Sequence, residues 1–302
     1  MTQPFYIHNH TQYSNLRLRD SIVKENLLID EAIKLGLPGI AITDHESLAS
    51  HVKALKYMKK LKSEGKDNDF KLALGNEIYL VNEEETKILL ENKERVKYYH
   101  FILVAKNRSG YQAIRKLSSM AAENSYVHKG MQRVPTYKHQ FEKVIGSQKG
   151  NIIGSTACLG GEFATLVLKY IEEETSENKK EIIDFLKYMV QIFGKENFYI
   201  ELQPSFYETQ IKVNKMALKI ARSMGIKVVI TTDTHYLRPE HKNIHSIYLK
   251  AADGDRETED FYASTFLMNK KELYEYFKDY LSELEFEAII QACHFFMTAP
   301  CT

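Results

Sequence analysis

The 302-residue chain contains no tryptophan, so its aromatic character rests on 19 tyrosines and 15 phenylalanines. Its three cysteines, Cys158, Cys293 and Cys301, are too few and odd in number to form a disulfide framework, which points to a reducing compartment. A net charge of +1 leaves no overall basic surplus. That excludes a protein that coats nucleic acid through bulk charge, and any nucleic-acid contact has to come from a local patch. No run of about 18 apolar residues occurs, as a membrane-spanning helix would need. The N-terminus lacks the basic and then apolar pattern of a signal peptide. A cytoplasmic protein without membrane contact is therefore expected, and no internal repeat or low-complexity tract interrupts it.

What is present is an ordinary globular balance, with 44% hydrophobic and 27% charged residues and eleven histidines. The length suits one large α/β barrel or two small domains. Apolar strand-like runs fall at Phe5–His8, Gly39–Thr43, Leu72–Leu74, His100–Ala105, Asn151–Ser155, Phe198–Leu202 and Lys227–Thr231. Between them lie stretches with helical spacing, at Ile22–Leu35, Ser47–Leu61, Gly110–Ala122, Lys179–Phe193 and Glu208–Met224. Strands alternating with crossover helices predict a parallel sheet. Closed on itself, this is a distorted seven-stranded (β/α) TIM-like barrel, with chemistry expected at the C-terminal strand ends.

Metal-type residues gather at those ends. His8 and His10 follow Phe5-Tyr6-Ile7 at spacing i, i+2, which puts both imidazoles on one face of an extended chain. Asp44-His45 follows Gly39–Thr43, Glu77 follows Leu72–Gly75, and Asp233-Thr-His235 follows Lys227–Thr232. Imidazoles and carboxylates converging in this way are a metal-chelating set. The charged stretch Asn82–Lys97 reads as a solvated helix or loop. Ser125–Tyr137 reads as a long excursion on the active face, whose Lys129 and Arg133 are candidates to touch a substrate phosphate or simply to face solvent. Tyr13 and Tyr236 follow the metal-type motifs closely enough to stack on a base, although packing is the plainer reading. His51, His128, His139, His241, His245 and His294 read as surface or packing residues.

Seven segments in order resemble the PHP (polymerase and histidinol phosphatase) domain, in the version at the N-terminus of the bacterial DNA polymerase III alpha subunit. They are HNHTQYS (8–14), LGLPGIAITDHESL (35–48), LGNEIYLV (74–81), HFILVAKNRSGYQAIRKLSS (100–119), GSTACLGGE (154–162), FYIELQ (198–203) and TTDTHYLRPEH (231–241). The resemblance implies nine metal-ligand positions, which fall here on His8, His10, Asp20, His45, Glu77, His100, Cys158, Asp233 and His235. The loop that carries Asp20 is longer than is usual for the family. Such a set suits two to three divalent ions, with the Cys158 thiolate favouring zinc and leaving manganese or iron as alternatives. Ions of this kind lower the pKa of bound water from about 15.7 to roughly 7 and clamp a phosphate. Glu77 and Asp233 are the candidates to bridge ions, and Asp44 to orient the neighbouring imidazoles.

The implied activity is metal-dependent phosphodiester hydrolysis, 3′–5′ exonuclease trimming of single-stranded DNA ends in bacterial-type replication. His8, His10, Glu77, Asp233 and His235 form its catalytic centre, with replicative polymerase components as partners. Two alternatives stay open, a small-molecule phosphatase of the histidinol-phosphate kind and a non-catalytic structural module of a polymerase. The length leaves no room for palm, thumb and fingers, so no polymerase catalytic region is expected. The barrel is expected to span 1–260. The segment 261–302, with short helices at Lys270–Tyr280 and Ser282–Ala292, would be an extension towards a following polymerase region.

Overall fold

The computed structural model describes residues 2–128, 131–252 and 261–293. In chain order the elements begin with α1 (Glu25–Lys34), β1 (Gly39–Ile42), α2 (His51–Ser63), β2 (Lys71–Val81), α3 (Glu83–Glu91), β3 (Tyr99–Ala105) and α4 (Arg108–Glu123). A small hairpin follows, β4 (Tyr126–His128) and β5 (Met131–Arg133), then β6 (Thr136–Tyr137), α5 (Lys138–Gly146) and β7 (Ile152–Ser155). The chain continues through α6 (Glu162–Glu172), α7 (Ser176–Phe193), β8 (Phe198–Leu202), α8 (Glu208–Met224), β9 (Lys227–Ile230), α9 (Lys242–Ala252), α10 (Lys270–Tyr274) and α11 (Glu283–Cys293). No helix among the described residues is long and apolar enough to cross a membrane.

The main sheet runs in the order β1-β2-β3-β7-β8-β9, with β6 added beside β2. It curls, and its strands are buried on both faces, so they read as unbroken apolar runs rather than alternating ones. Alternate residues separate into two cores. Ile40, Ile42, Leu72, Leu74, Phe101, Leu103, Phe198 and Ile200 face the surrounding helices. Ala41, Ala73, Ile102, Val104, Ile153, Tyr199 and Val229 form a smaller inner cluster with Phe5 and Ile7.

Two features differ from the all-parallel barrel expected. β3 runs antiparallel to both of its neighbours, β2 and β7. The chain leaves β2 through α3 and re-enters the sheet from the same end, so the N-terminal end of β3 lies where the parallel strands finish. In addition, Phe5–His8 forms no strand of its own. Instead the N-terminal segment bridges both edges of the sheet. Tyr6 pairs with Ile40, Asn9 pairs with Thr234, and His10 N–H donates to Thr234 O at 2.9 Å. The seventh strand of the sheet is the two-residue β6.

Residues 261–293 pack on the same core. Phe266, Leu267, Met268, Leu273, Phe277, Leu281, Phe286 and Ile290 join the helix-facing cluster, and Tyr6 Oη donates to Met268 O. The helix expected at Lys270–Tyr280 is regular only to Tyr274, with turns beyond it. It opens on a capping box between Asn269 and Glu272.

His51, at the first turn of α2, is fully buried, and its Nδ1 lies 3.1 Å from Tyr111 Oη. Burial pushes its pKa from the ordinary 6.5 down to about 4, and the positive end of a helix also disfavours the charged ring. Between those values the unfolded chain binds the extra proton. Stability is therefore intact above pH 6.5 and falls as the pH drops towards 4, by up to roughly 3 kcal/mol from this group. Urea unfolding of wild type and His51→Gln at pH 7 and pH 5 should show a smaller acid loss in the variant, and equal losses would refute the assignment.

Candidate metal centre

The period-2 alternation that builds the inner core also builds the site. Along β2, Ala73, Gly75 and Glu77 share one side. Along the reversed β3, Val104, Ile102 and His100 share one, and along β8, Tyr199 leads to Glu201. At the N-terminus a bend at Ile7 shifts the register, so the residues turned to the centre are His8 and His10. Their Nε2 atoms lie 3.1 Å apart.

Three buried carboxylates link five imidazoles. Glu77 Oε1 lies 3.4 Å from His8 Nε2 and 2.8 Å from His100 Nδ1. Its Oε2 lies 3.3 Å from His10 Nε2 and 2.6 Å from His45 Nδ1. Asp233 Oδ1 is 3.1 Å from His8 Nε2, 3.0 Å from His10 Nε2 and 3.5 Å from His235 Nδ1. Asp20 Oδ2 reaches His45 at 3.1 Å and His235 at 3.3 Å. Cys158 Sγ is 3.6 Å from His100 Nδ1 and accepts the Gly160 N–H. All nine expected positions therefore meet at one end of the sheet. His100 arrives there because β3 is reversed. Gly160 lies so close to this ring that a Cβ would sit 3.1 Å from it.

The electrostatics follow from burial working against strong opposite charges. Burial alone would raise the carboxyls, but His45, His100 and His8 hold Glu77 well below the usual range. Likewise His45 and His235 hold Asp20 low, and His8 and His235 hold Asp233 low. Burial would lower the imidazoles, yet the carboxylates hold His8, His45 and His235 above their ordinary value. His10 is the exception. Burial and then the neighbouring His45 and His235 push it down to about 3, so it stays neutral. Burial, followed by Asp233 and Glu77, pushes the Cys158 thiol up. The backbone enters the left-handed region at Glu46, Ala157 and Asp233, each in or beside the cluster, a strain of order 1–3 kcal/mol per residue that surrounding structure must hold.

Asp44 touches none of the imidazoles. It accepts from Thr11 N–H at 2.6 Å, from the hydroxyls of Thr11 and Ser14 at 2.9 Å, and from Ser50 at 2.5 Å. Its influence on the centre passes through Ser14, whose Oγ also lies 2.9 Å from His10 Nδ1. Arg133 lies on β5 with its guanidinium over the Tyr98 ring, 5.2 Å from the centroid. Lys129 and His294 lie outside the described residues. Tyr236 is buried and donates to Tyr262 O, so it packs, and Tyr13 lies beneath the Lys53 ammonium. His245 is buried too, with Nε2 2.5 Å from Asp20 O.

Sequence reasoning missed Glu201 and Gln203. Glu201 Oε1 lies 2.7 Å from His8 Nδ1 and fixes that ring. Gln203 Nε2 donates to Glu201 at 2.9 Å and to Asp233 at 3.3 Å. The signal was available, since Glu201 is the one charged residue in an otherwise apolar strand.

Because Asp44 gathers a backbone amide and three hydroxyls in a buried pocket, Asp44→Ala should cost about 3 kcal/mol or more. Urea denaturation measures this, and a loss below about 1 kcal/mol would contradict the scaffold role.

The PHP domain family matches residues 7–205 of the chain. The Bacillus subtilis (strain 168) protein named "Probable DNA polymerase YorL" is 41% identical over 276 residues, covering 89% of this chain and 21% of that protein. A DNA-directed DNA polymerase of Bacillus phage SPbeta matches to the same extent. DNA polymerase III subunit alpha of Borreliella burgdorferi is 31% identical over 290 residues, or 93% of this chain and 22% of that one. The chain thus spans about a fifth of the length of the curated relatives it matches. With the family's match running through the strands and loops that carry most of the centre, the chain belongs to the PHP domain family.

Proposed function

We propose that the chain is a metal-dependent phosphoesterase that removes nucleotides from the 3′ ends of single-stranded DNA. The observation that carries this reading is the state of the atoms at the centre. Asp20 Oδ1, His45 Nδ1, both oxygens of Glu77, Asp233 Oδ1 and His235 Nε2 are buried with no hydrogen-bond partner. Close approach without hydrogen-bond geometry is costly for protein groups alone and fits donors directed at shared cations. Three overlapping groups support the same reading: His10, His45 and His235; His8, His10 and Asp233; and His45, Glu77 and His100. In each, the candidate ligand atoms lie within 4.8 Å of one another.

His8, His10, Asp20, His45, Glu77, His100, Cys158, Asp233 and His235 would hold two to three divalent ions, zinc on the thiolate's account, or manganese or iron. Such ions supply an activated water and neutralise phosphate charge. The chain's own part is orientation. Glu201 fixes His8, Gln203 steadies Asp233, and the Asp44–Ser14 pair fixes His10, which is what outer partners of a metal site do. In the reaction, water oxygen bonds to the terminal phosphorus and the bond from phosphorus to the preceding O3′ breaks. The proton goes to that oxygen, leaving a 5′-nucleotide and a new 3′-hydroxyl. Arg133, preorganised on Tyr98, would meet a phosphate farther along the strand. The polymerase relatives favour DNA as substrate and replicative polymerase components as partners, with residues 1–260 as the barrel unit and 261–302 as the extension towards them.

Purified protein should carry two to three metal ions per chain. It should release the label of 3′-end-labelled single-stranded DNA as mononucleotide at once and shorten 5′-end-labelled DNA stepwise with its label retained, and His10→Ala should lower the rate by at least about 100-fold. Bound metal with phosphomonoester hydrolysis alone would replace the exonuclease with a phosphatase, and no metal with no turnover would overturn both. Chelation should lower the unfolding midpoint by several degrees, because metal at about 100 times its Kd adds roughly 2.7 kcal/mol. An unchanged midpoint would count against the ligand set.

A further inference from the structure

The centre opens into a cavity of about 320 Å³. Part of its lining is Asp20, His45, His100, Cys158, Asp233 and His235. The rest, apart from Gly160, is an apolar wall of Leu18, Phe261 and Tyr262. Among the described residues, Leu18 and Phe261 belong to neither hydrophobic core, so the packing of those residues does not account for them. We propose that this wall seats the terminal base of an unpaired DNA strand, with Phe261 as the stacking residue. The inference rests on the phosphoesterase reading above and adds how that site selects its substrate.

The volume lies at the lower end of the range for small-molecule sites. It suits one nucleotide, with the phosphate towards the imidazoles and carboxylates and the base against the apolar side. A base pair is too large, so a duplex end would have to fray first, at a cost of a few kcal/mol. The wall is also fixed in advance. Tyr262 stands edge-to-face with His235, with centroids 5.1 Å apart at 77°, and Phe261 stands edge-to-face with Tyr262 at 4.9 Å and 89°. The turn that carries them is tied to the centre from behind. Tyr236 Oη donates to Tyr262 O and Ala263 O, Ser264 Oγ donates to Pro204 O, and His235 N–H donates to Thr265 O. A ring held in this way loses little freedom when a base stacks on it. The Leu18 and Phe261 side chains offer no hydrogen bonds, so they accept any base, and stacking rather than base identity sets affinity.

The test uses the full chain with zinc or manganese and oligonucleotides that end at the 3′ side in 2-aminopurine, a normal base or an abasic residue. Because the chain has no tryptophan, 2-aminopurine emission is read against little background. On mixing, before the end is hydrolysed, wild type should quench it, Phe261→Ala should not, and Phe261→Tyr should restore the quench. KM for base-bearing ends should rise roughly 10- to 100-fold in Phe261→Ala, while wild type and variant treat abasic ends alike. Unchanged quenching and KM in Phe261→Ala would overturn the seat. A wild type that quenches yet hydrolyses no end would keep the seat and overturn the phosphoesterase, and one that does neither overturns both.

Discussion

A single buried carboxylate holds the centre together. Glu77 lies within 3.4 Å of His8, His10, His45 and His100, and these residues come from the N-terminal segment, the end of β1 and the start of β3. Placing that charge out of water is expensive unless opposite charge surrounds it. The strands, the reversed β3 and the strained turns at Glu46, Ala157 and Asp233 all serve to deliver that surrounding charge. The arrangement also explains why His10 differs from the other rings. With Glu77 and Asp233 shared among several imidazoles, the most crowded ring is best left neutral, and a neutral imidazole is the form that binds a metal.

Much of this was legible in the sequence because strand ends and ligand types share one signature. His8, His10, His45, Glu77, Asp233 and His235 each follow an apolar run, and the structure brings them together. The positions of β1, β3, β7, β8 and β9 are also readable, since fully buried strands are unbroken apolar runs, whereas β2 runs on from the expected Leu72–Leu74 to Val81 and Phe5–His8 forms no strand. The direction of β3 was not readable. An apolar run has no arrow, and the α3 segment that reverses it resembles any charged surface helix. Glu201 escaped for a related reason, as its charge sits inside a strand whose neighbours suggest only packing. The indirect route from Asp44 to His10 through Ser14 depends on side-chain distances that spacing does not encode.

The outer face and the extension were harder still. Helices α5, α6 and α9 carry their apolar residues in short or mixed patterns, and only contact with neighbouring helices makes them definite. Residues 261–268 show no strong periodicity, yet they fasten the loop bearing Asp233 and His235 and form one wall of the cavity. Their structural weight comes from backbone carbonyls that accept from Tyr236 and from the His235 amide, and such groups are the same for every sequence.

The bridging N-terminal segment also constrains how the molecule assembles. His8 N–H donates to Thr231, 223 positions away, and Asn9 pairs with Thr234. During synthesis this segment must therefore wait for the end of β9, the last strand of the described sheet, before it finds its partners. Contacts of such sequence separation carry a large loop-closure cost and slow folding. Until they form, the histidines, the acids and both edges of the sheet are open to solvent, and the nascent chain holds an incomplete cluster. The cluster of imidazoles and carboxylates is thus completed late, when the two edges of the sheet meet, and a partly made chain has no finished centre.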